Sequence, residues 1–141
     1  YPTATGSYLG IYAKRTVNTN YGPFQILYHT GSMSVYMSTT GSSWQVALTA
    51  SFSTPTNQWT HVAVVRSGTT VTLYLNGISA GSSTGLGTSA VMTNTSAASI
   101  GADSASGSNG FAGYLDDFRI TKGVARYAAN FTPPTSQVQD Q

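Results

Sequence analysis

Short runs in which apolar and polar residues alternate, separated by Gly, Ser, Thr or Asn, recur about every 8–12 residues along most of this chain. Successive side chains of a strand point to opposite faces, so such runs offer one apolar face each and do not suit a helix. From Tyr8 to Ala13, Leu9, Ile11 and Ala13 share a side. Phe24 to His29 is a second run. In Met33 to Met37, Met33, Val35 and Met37 oppose Ser34, Tyr36 and Ser38, and in Trp44 to Phe52, Trp44, Val46, Leu48 and Ala50 share a side. These two runs read as a hairpin with one face in a core. His61 to Arg66 is apolar on both sides, which predicts a central strand covered on both faces. Val71 to Leu75 follows, then Asn76-Gly77, the strongest two-residue hairpin turn in the chain, with Ile78 starting a return strand. Residues 81–96 read as a long loop with one short strand near Ala90 to Met92. Ala98 to Gly101 and Gly110 to Ile120 are expected to supply the last two strands, with one helical turn beyond Gly123. The pattern predicts an all-β protein, an antiparallel β-sandwich, with one domain over residues 1–134 and a polar tail at 135–141. Its expected core includes Val35, Trp44, Val46, Leu48, Val62, Val64, Leu73, Leu75, Ile100 and Phe118.

Composition removes several functions. Only 7% of the 141 residues are charged, against about 25% in an average soluble domain, and 21 Thr and 19 Ser supply the solvation instead. Hydrophobic residues at 40% and aromatics at 11% are enough for a core. A net charge of +2 from six scattered cations is a poor track for phosphates, so no nucleic acid is expected as a partner. No apolar run approaches the roughly 18 residues of a membrane helix, so no membrane insertion is expected. The absence of Cys excludes disulfides, thiolate zinc sites and cysteine nucleophiles. There is no Glu, and the only carboxylates are Asp103, Asp116, Asp117 and Asp140, a poor supply for the paired acids of a glycoside hydrolase. No Ser lies in a Gly-x-Ser-x-Gly elbow. Enzymatic activity is therefore not expected.

Three stretches carry a family resemblance: Trp59-Thr60-His61-Val62-Ala63-Val64-Val65-Arg66 with Leu73-Tyr74-Leu75-Asn76-Gly77; Ser99-Ile100-Gly101; and Phe111-Ala112-Gly113-Tyr114-Leu115-Asp116-Asp117-Phe118-Arg119-Ile120. In that order and spacing the chain resembles the laminin-G-like, concanavalin A-like jelly-roll family. The closing Thr121 to Tyr127, with Asn130-Phe131-Thr132-Pro133-Pro134, looks like the variant found in bacteriophage tail-fibre and other virion proteins. The resemblance implies a recognition module of a larger extracellular or virion protein, binding a host-surface glycan, or else a structural or decoration subunit contacting a neighbouring virion protein. It also implies that strands normally preceding Tyr1-Pro2-Thr3 are supplied by an upstream chain or a neighbouring subunit, because unpaired sheet edges need cover.

Several residue groups are candidates for a site. Tyr8, Tyr12, Gln25, His29, Tyr36 and Gln45 fall on the face opposite the apolar one, where rigid aromatic rings and neutral amides suit a glycan or a protein partner equally. Trp59 and His61 share a strand face with Ala63 and Val65 and read as packing residues. Asp116 and Asp117 alternate across a strand and so face apart, unable to act as a close pair. No cofactor is required. Calcium, which many laminin-G-like domains bind, would draw on Asp103, Asn109 and Asp116 in or beside one Gly/Ser loop, with too few carboxylates for a strong site.

Overall fold

The computed structural model describes residues 1–17, 20–51 and 56–137. Eight strands form: β1 (Leu9–Ala13), β2 (Gln25–His29), β3 (Ser32–Met37), β4 (Val46–Ser51), β5 (Val62–Ser67), β6 (Thr70–Leu75), β7 (Ile78–Ser83) and β8 (Ser99–Ile100). They pair antiparallel into a five-stranded sheet, β4-β3-β2-β1-β8, and a three-stranded sheet, β5-β6-β7. The all-β antiparallel architecture is the one the alternation requires, and no helix occurs among the described residues. Phe52, the expected end of the fourth run, lies outside the described residues, as do the last residues of the polar tail, 138–141.

The apolar sides of the runs meet between the sheets. Tyr28, Met33, Val35, Met37, Val46 and Ala50 from the large sheet pack with Val71, Leu73 and Leu75 of the small one and with Leu86 beyond β7. Asn76 and Gly77 both have positive φ, 50° and 80°, the geometry that makes this pair a hairpin turn between β6 and β7. Gly77 has a second role. A Cβ there would collide with the Phe131 carbonyl, whose own N–H donates to the Gly77 oxygen, so the C-terminal arm docks onto the turn.

Five expectations need correction. Tyr12 does not share a face with Gln25: a bulge between Gly10 and Tyr12 shifts the register, so Tyr12 lies opposite Ile26, its ring against Phe24 and Phe118. β5 is an edge strand rather than a central one, and all of Val62 to Arg66 stays half-buried. Gly110 to Ile120 forms no strand; only isolated bridges, Pro2 to Gly113 and Gly10 to Gly110, survive. The cause is local. Within the run Gly113 and Asp117 have positive φ, and the Asp116 carboxylate accepts the Asp117 N–H, so the extended geometry breaks twice, just after a further positive φ at Asn109. Neither the short strand near Ala90 to Met92 nor the helical turn beyond Gly123 is present.

The core list divides accordingly. Val35, Val46, Leu73 and Leu75 are buried, whereas Trp44, Leu48, Val62 and Val64 are half-buried. Ile100, on a two-residue edge strand, and Phe118, in the irregular segment, are exposed. Beside the free edge of β5 the sandwich opens into an apolar cleft of about 1030 Å³, whose walls include Ile11, Tyr12, Phe24, Val64 and Phe118.

Candidate functional site

The outer face of the five-stranded sheet is not the open polar surface its alternation suggests. Gln25 pairs with Tyr36 across β2 and β3, and Leu27 with Ser34, which puts these four on one side. Gln25, Leu27 and Ser34 are nevertheless buried; the loop through Asp103 crosses Gln25 and, at Gly10, the position opposite Leu27, while the Ser34 hydroxyl meets that of Thr49. Gly10 permits this cover, since a Cβ there would collide with the backbone of Ala102 and Asp103. A buried ion pair fastens it: Arg15 Nη2 donates to Asp103 Oδ1, and Arg15 Nε donates 2.8 Å to the Asp103 carbonyl. Gln25 Nε2 donates to the same Oδ1, and Asn109 Nδ2 donates 3.0 Å to Oδ2.

This network bears on how these residues could meet calcium. The structure brings Asp103 and Asn109 together, but both Asp103 oxygens already serve a cation and two amides. Asp116 sits in another segment, bonded to its neighbour's N–H. Calcium wants six to eight oxygen ligands, and among the described residues no cluster of three or more His, Asp or Glu is placed to hold a metal. The three residues do not fit the ion as a set.

The remaining polar-face candidates separate into two places. At one end of the sheet, the Tyr8 N–H donates 3.3 Å to His29 Nδ1 and the two rings meet edge-on at 4.8 Å. Nδ1 acts as acceptor there, so the neutral ring carries its proton on Nε2, which is buried without a partner. Burial lowers the His29 pKa below 6.5, because the charged form loses solvation. Burial also lowers that of His61, partly opposed by the Asp117 charge. Unfolded chains protonate these rings first, so their stabilising share is whole above pH 6.5 and is lost as pH falls through the lowered values. Urea midpoints should therefore drop on acidification below 6.5, and His29→Gln should flatten that slope. An unchanged slope in both His29→Gln and His61→Gln would refute the assignment.

At the other end an aromatic platform forms. Trp44 lies between Tyr36, at 5.4 Å, and Tyr21, at 5.0 Å, in tilted and edge-on arrangements. Gln45 supports it rather than facing a ligand: its Oε1 accepts the Thr39 N–H at 2.6 Å and its Nε2 donates to Ser43, bracing the turn before β4. Beside Tyr21 a recess of about 320 Å³ is lined by Thr16, Asn20, Gly41, Met92, Asn94 and Ser96, all uncharged. Sequence reasoning found Tyr36 and Gln45 here and treated Trp44 as core. It missed Tyr21 and Asn94, which sit in loops without periodicity.

Trp59 and His61 also part company. Trp59 is 57% exposed, its ring tilted against Tyr1, because it precedes β5 and escapes its packing. His61 packs edge-on against Phe131, which itself stacks on Tyr127 at 3.5 Å.

Two antiparallel sheets enclosing one apolar core, with aromatic side chains at one end of the larger, define a β-sandwich domain. The family model described as the concanavalin A-like lectin/glucanases superfamily matches residues 1–127, and the chain belongs to that family. No curated protein matches it. A solved structure of an S-layer domain-containing protein (residues 221–444) from Clostridium thermocellum is similar, at 24% identity and a TM-score of 0.38. The alignment covers 86% of this chain and 60% of that one, so the chain spans less than two thirds of its length.

Proposed function

We propose that this chain is a non-catalytic recognition module of a larger extracellular or virion protein, and that it binds a host-surface glycan through Tyr21, Trp44 and Tyr36. The observation that carries the reading is the aromatic platform beside a recess whose lining, among the described residues, is uncharged. Sugar rings stack their C–H faces on aromatic rings and bond neutral amides and hydroxyls, whereas phosphates and acidic partners need cations. Two of the four carboxylates support a role without catalysis: Asp103 is committed to Arg15 and Asp116 to its own turn.

Trp44→Ala or Tyr36→Ala should weaken glycan binding by about 1–2 kcal/mol, roughly tenfold or more, in calorimetric titration or on a glycan array. Tyr12→Ala should leave affinity unchanged, since that ring faces the interior. Added salt and chelator should change little, as few ions are released on binding. Strong salt or chelator dependence with Trp44→Ala silent would overturn the assignment.

A second reading, a structural or decoration subunit of a phage particle, is favoured by one feature. Tyr114, Ile120 and Val124 are each about two-thirds exposed along one segment, apolar area of the kind that contacts between chains cover. Light scattering separates the two: self-association abolished by Ile120→Asp, with no glycan bound, would favour this one.

A further inference from the structure

β5 stands at the edge of its sheet, and one side of its backbone is unpaired. The Asn76 N–H donates 2.8 Å to the His61 carbonyl, and bonding alternates along an antiparallel pair, so Ala63, Val65 and Ser67 also bond β6. Val62, Val64 and Arg66 therefore turn their N–H and C=O groups to the free side, where none of them is bonded among the described residues. A row of that kind is a template for one more strand. The apolar cleft opens beside it, and its volume of about 1030 Å³ is already above the usual small-ligand pocket, about 300–1,000 Å³. Val62 and Val64 pack toward the core, so a strand added here places alternate side chains next to them, in the cleft.

Charge says which strand. The six Lys and Arg are scattered along the sequence, but five of them, Lys14, Arg66, Arg119, Lys122 and Arg126, line this one cleft. Two carboxylates, Asp116 and Asp117, line it with them, which leaves an excess of three positive charges in a chain whose net charge is +2. The bonds these cations make do not offset the excess. Lys14 and Arg66 donate to backbone carbonyls and Arg126 to the Thr121 hydroxyl, all uncharged acceptors. Arg119 and Lys122 are exposed and have neither an ion pair nor a hydrogen bond among the described residues.

We propose that β5 takes up an extended segment of a partner protein, one that alternates apolar side chains with carboxylates. Its backbone completes the bonds of Val62, Val64 and Arg66, its apolar side fills the cleft, and its carboxylates meet Arg119 and Lys122. A second copy of this chain does not suit the site, because pairing two β5 edges brings two positively charged linings together. An anionic lipid would meet the cations and fill the cleft but leave the strand edge unpaired. Strand addition answers all three features at once. The surface lies at the edge of the small sheet, apart from the aromatic platform on the large one, and does not depend on the glycan reading.

The test titrates capped synthetic peptides of about eight residues into the full chain: one alternating Val with Glu, one Val with Lys and one Ser with Glu. The Val/Glu peptide should bind about tenfold tighter than either of the others, and added salt should weaken it severalfold. Amide hydrogen exchange at Val62, Val64 and Arg66 should slow when it binds. Arg119→Gln/Lys122→Gln changes two exposed side chains and should remove most of the preference for Glu over Lys. No binding of the Val/Glu peptide, equal binding of the Val/Lys peptide, or binding that leaves those three amides exchanging as before overturns the proposal. Decanoate that shifts the Val64 methyl resonances while the Val/Glu peptide stays unbound overturns it in favour of a lipid. Protection of the same amides that grows with protein concentration, without peptide, overturns it in favour of a second copy.

Discussion

Asp103→Ala or Arg15→Met should each destabilise the domain by about 3–5 kcal/mol, measured by urea unfolding. Each change leaves an uncompensated charge in a place from which water is excluded: Asp103 is 2% exposed and Arg15 6%. Removing Asp103 strands the Arg15 guanidinium and also the Gln25 and Asn109 amides that point at its carboxylate. Removing Arg15 frees the Asp103 backbone carbonyl as well as its side chain, and drops the Nη1 bond that ties the Asn20 carbonyl at 3.0 Å. A buried pair as such is weak evidence of stability, because burying two charges costs about what their attraction returns. The double variant Arg15→Met/Asp103→Leu should therefore cost clearly less than the sum of the single changes. Simple additivity, or single variants costing under about 1 kcal/mol, would show that the loop is held by its backbone bonds alone.

Much of this fold is readable from the sequence where a period of two and a turn pair coincide. The β2–β3–β4 meander and the β5–β6 hairpin fall where alternation puts them, and Asn76-Gly77 turns the chain into β7, which runs on through Ser83 into residues read as loop. The misplacement of Tyr12 has a readable cause in retrospect. An isolated Gly inside a strand marks a bulge or a close backbone approach, and Gly10 marks both: the register shifts just after it and the Asp103 loop crosses over it. The Arg15–Asp103 pair joins residues 88 positions apart, and no local pattern reports it. The platform was legible in half. Tyr36 is placed by alternation, but Tyr21 and Asn94 reach the site only through loop paths fixed by long-range bonds such as Asn94 to Lys14.

Leu73→Ala should cost about 2–5 kcal/mol, and the contrast with Phe118→Ala is the more informative result. Leu73 is fully buried, opposite Val64 on one neighbour and Gly81 on the other. Gly81 has no side chain to move into the space left behind. Leu48, whose Cδ1 lies 3.0 Å from where a Gly81 Cβ would be, is the group best placed to relax toward it. How far it does so sets where in the range the cost falls. Phe118 has the same apolar character in the sequence, and alternation over Tyr114 to Ile120 would make it a core residue. In the structure it is 42% exposed and rests on Tyr12 at 5.4 Å, so Phe118→Ala should cost only about 1 kcal/mol, the scale of an aromatic pair. Paired unfolding curves for the two variants decide whether this segment lies along the mouth of the cleft or completes the sheet at the free edge of β5. Equal losses would make residues 114–120 a strand of the core, and a severalfold smaller loss at Phe118 would leave the cleft open.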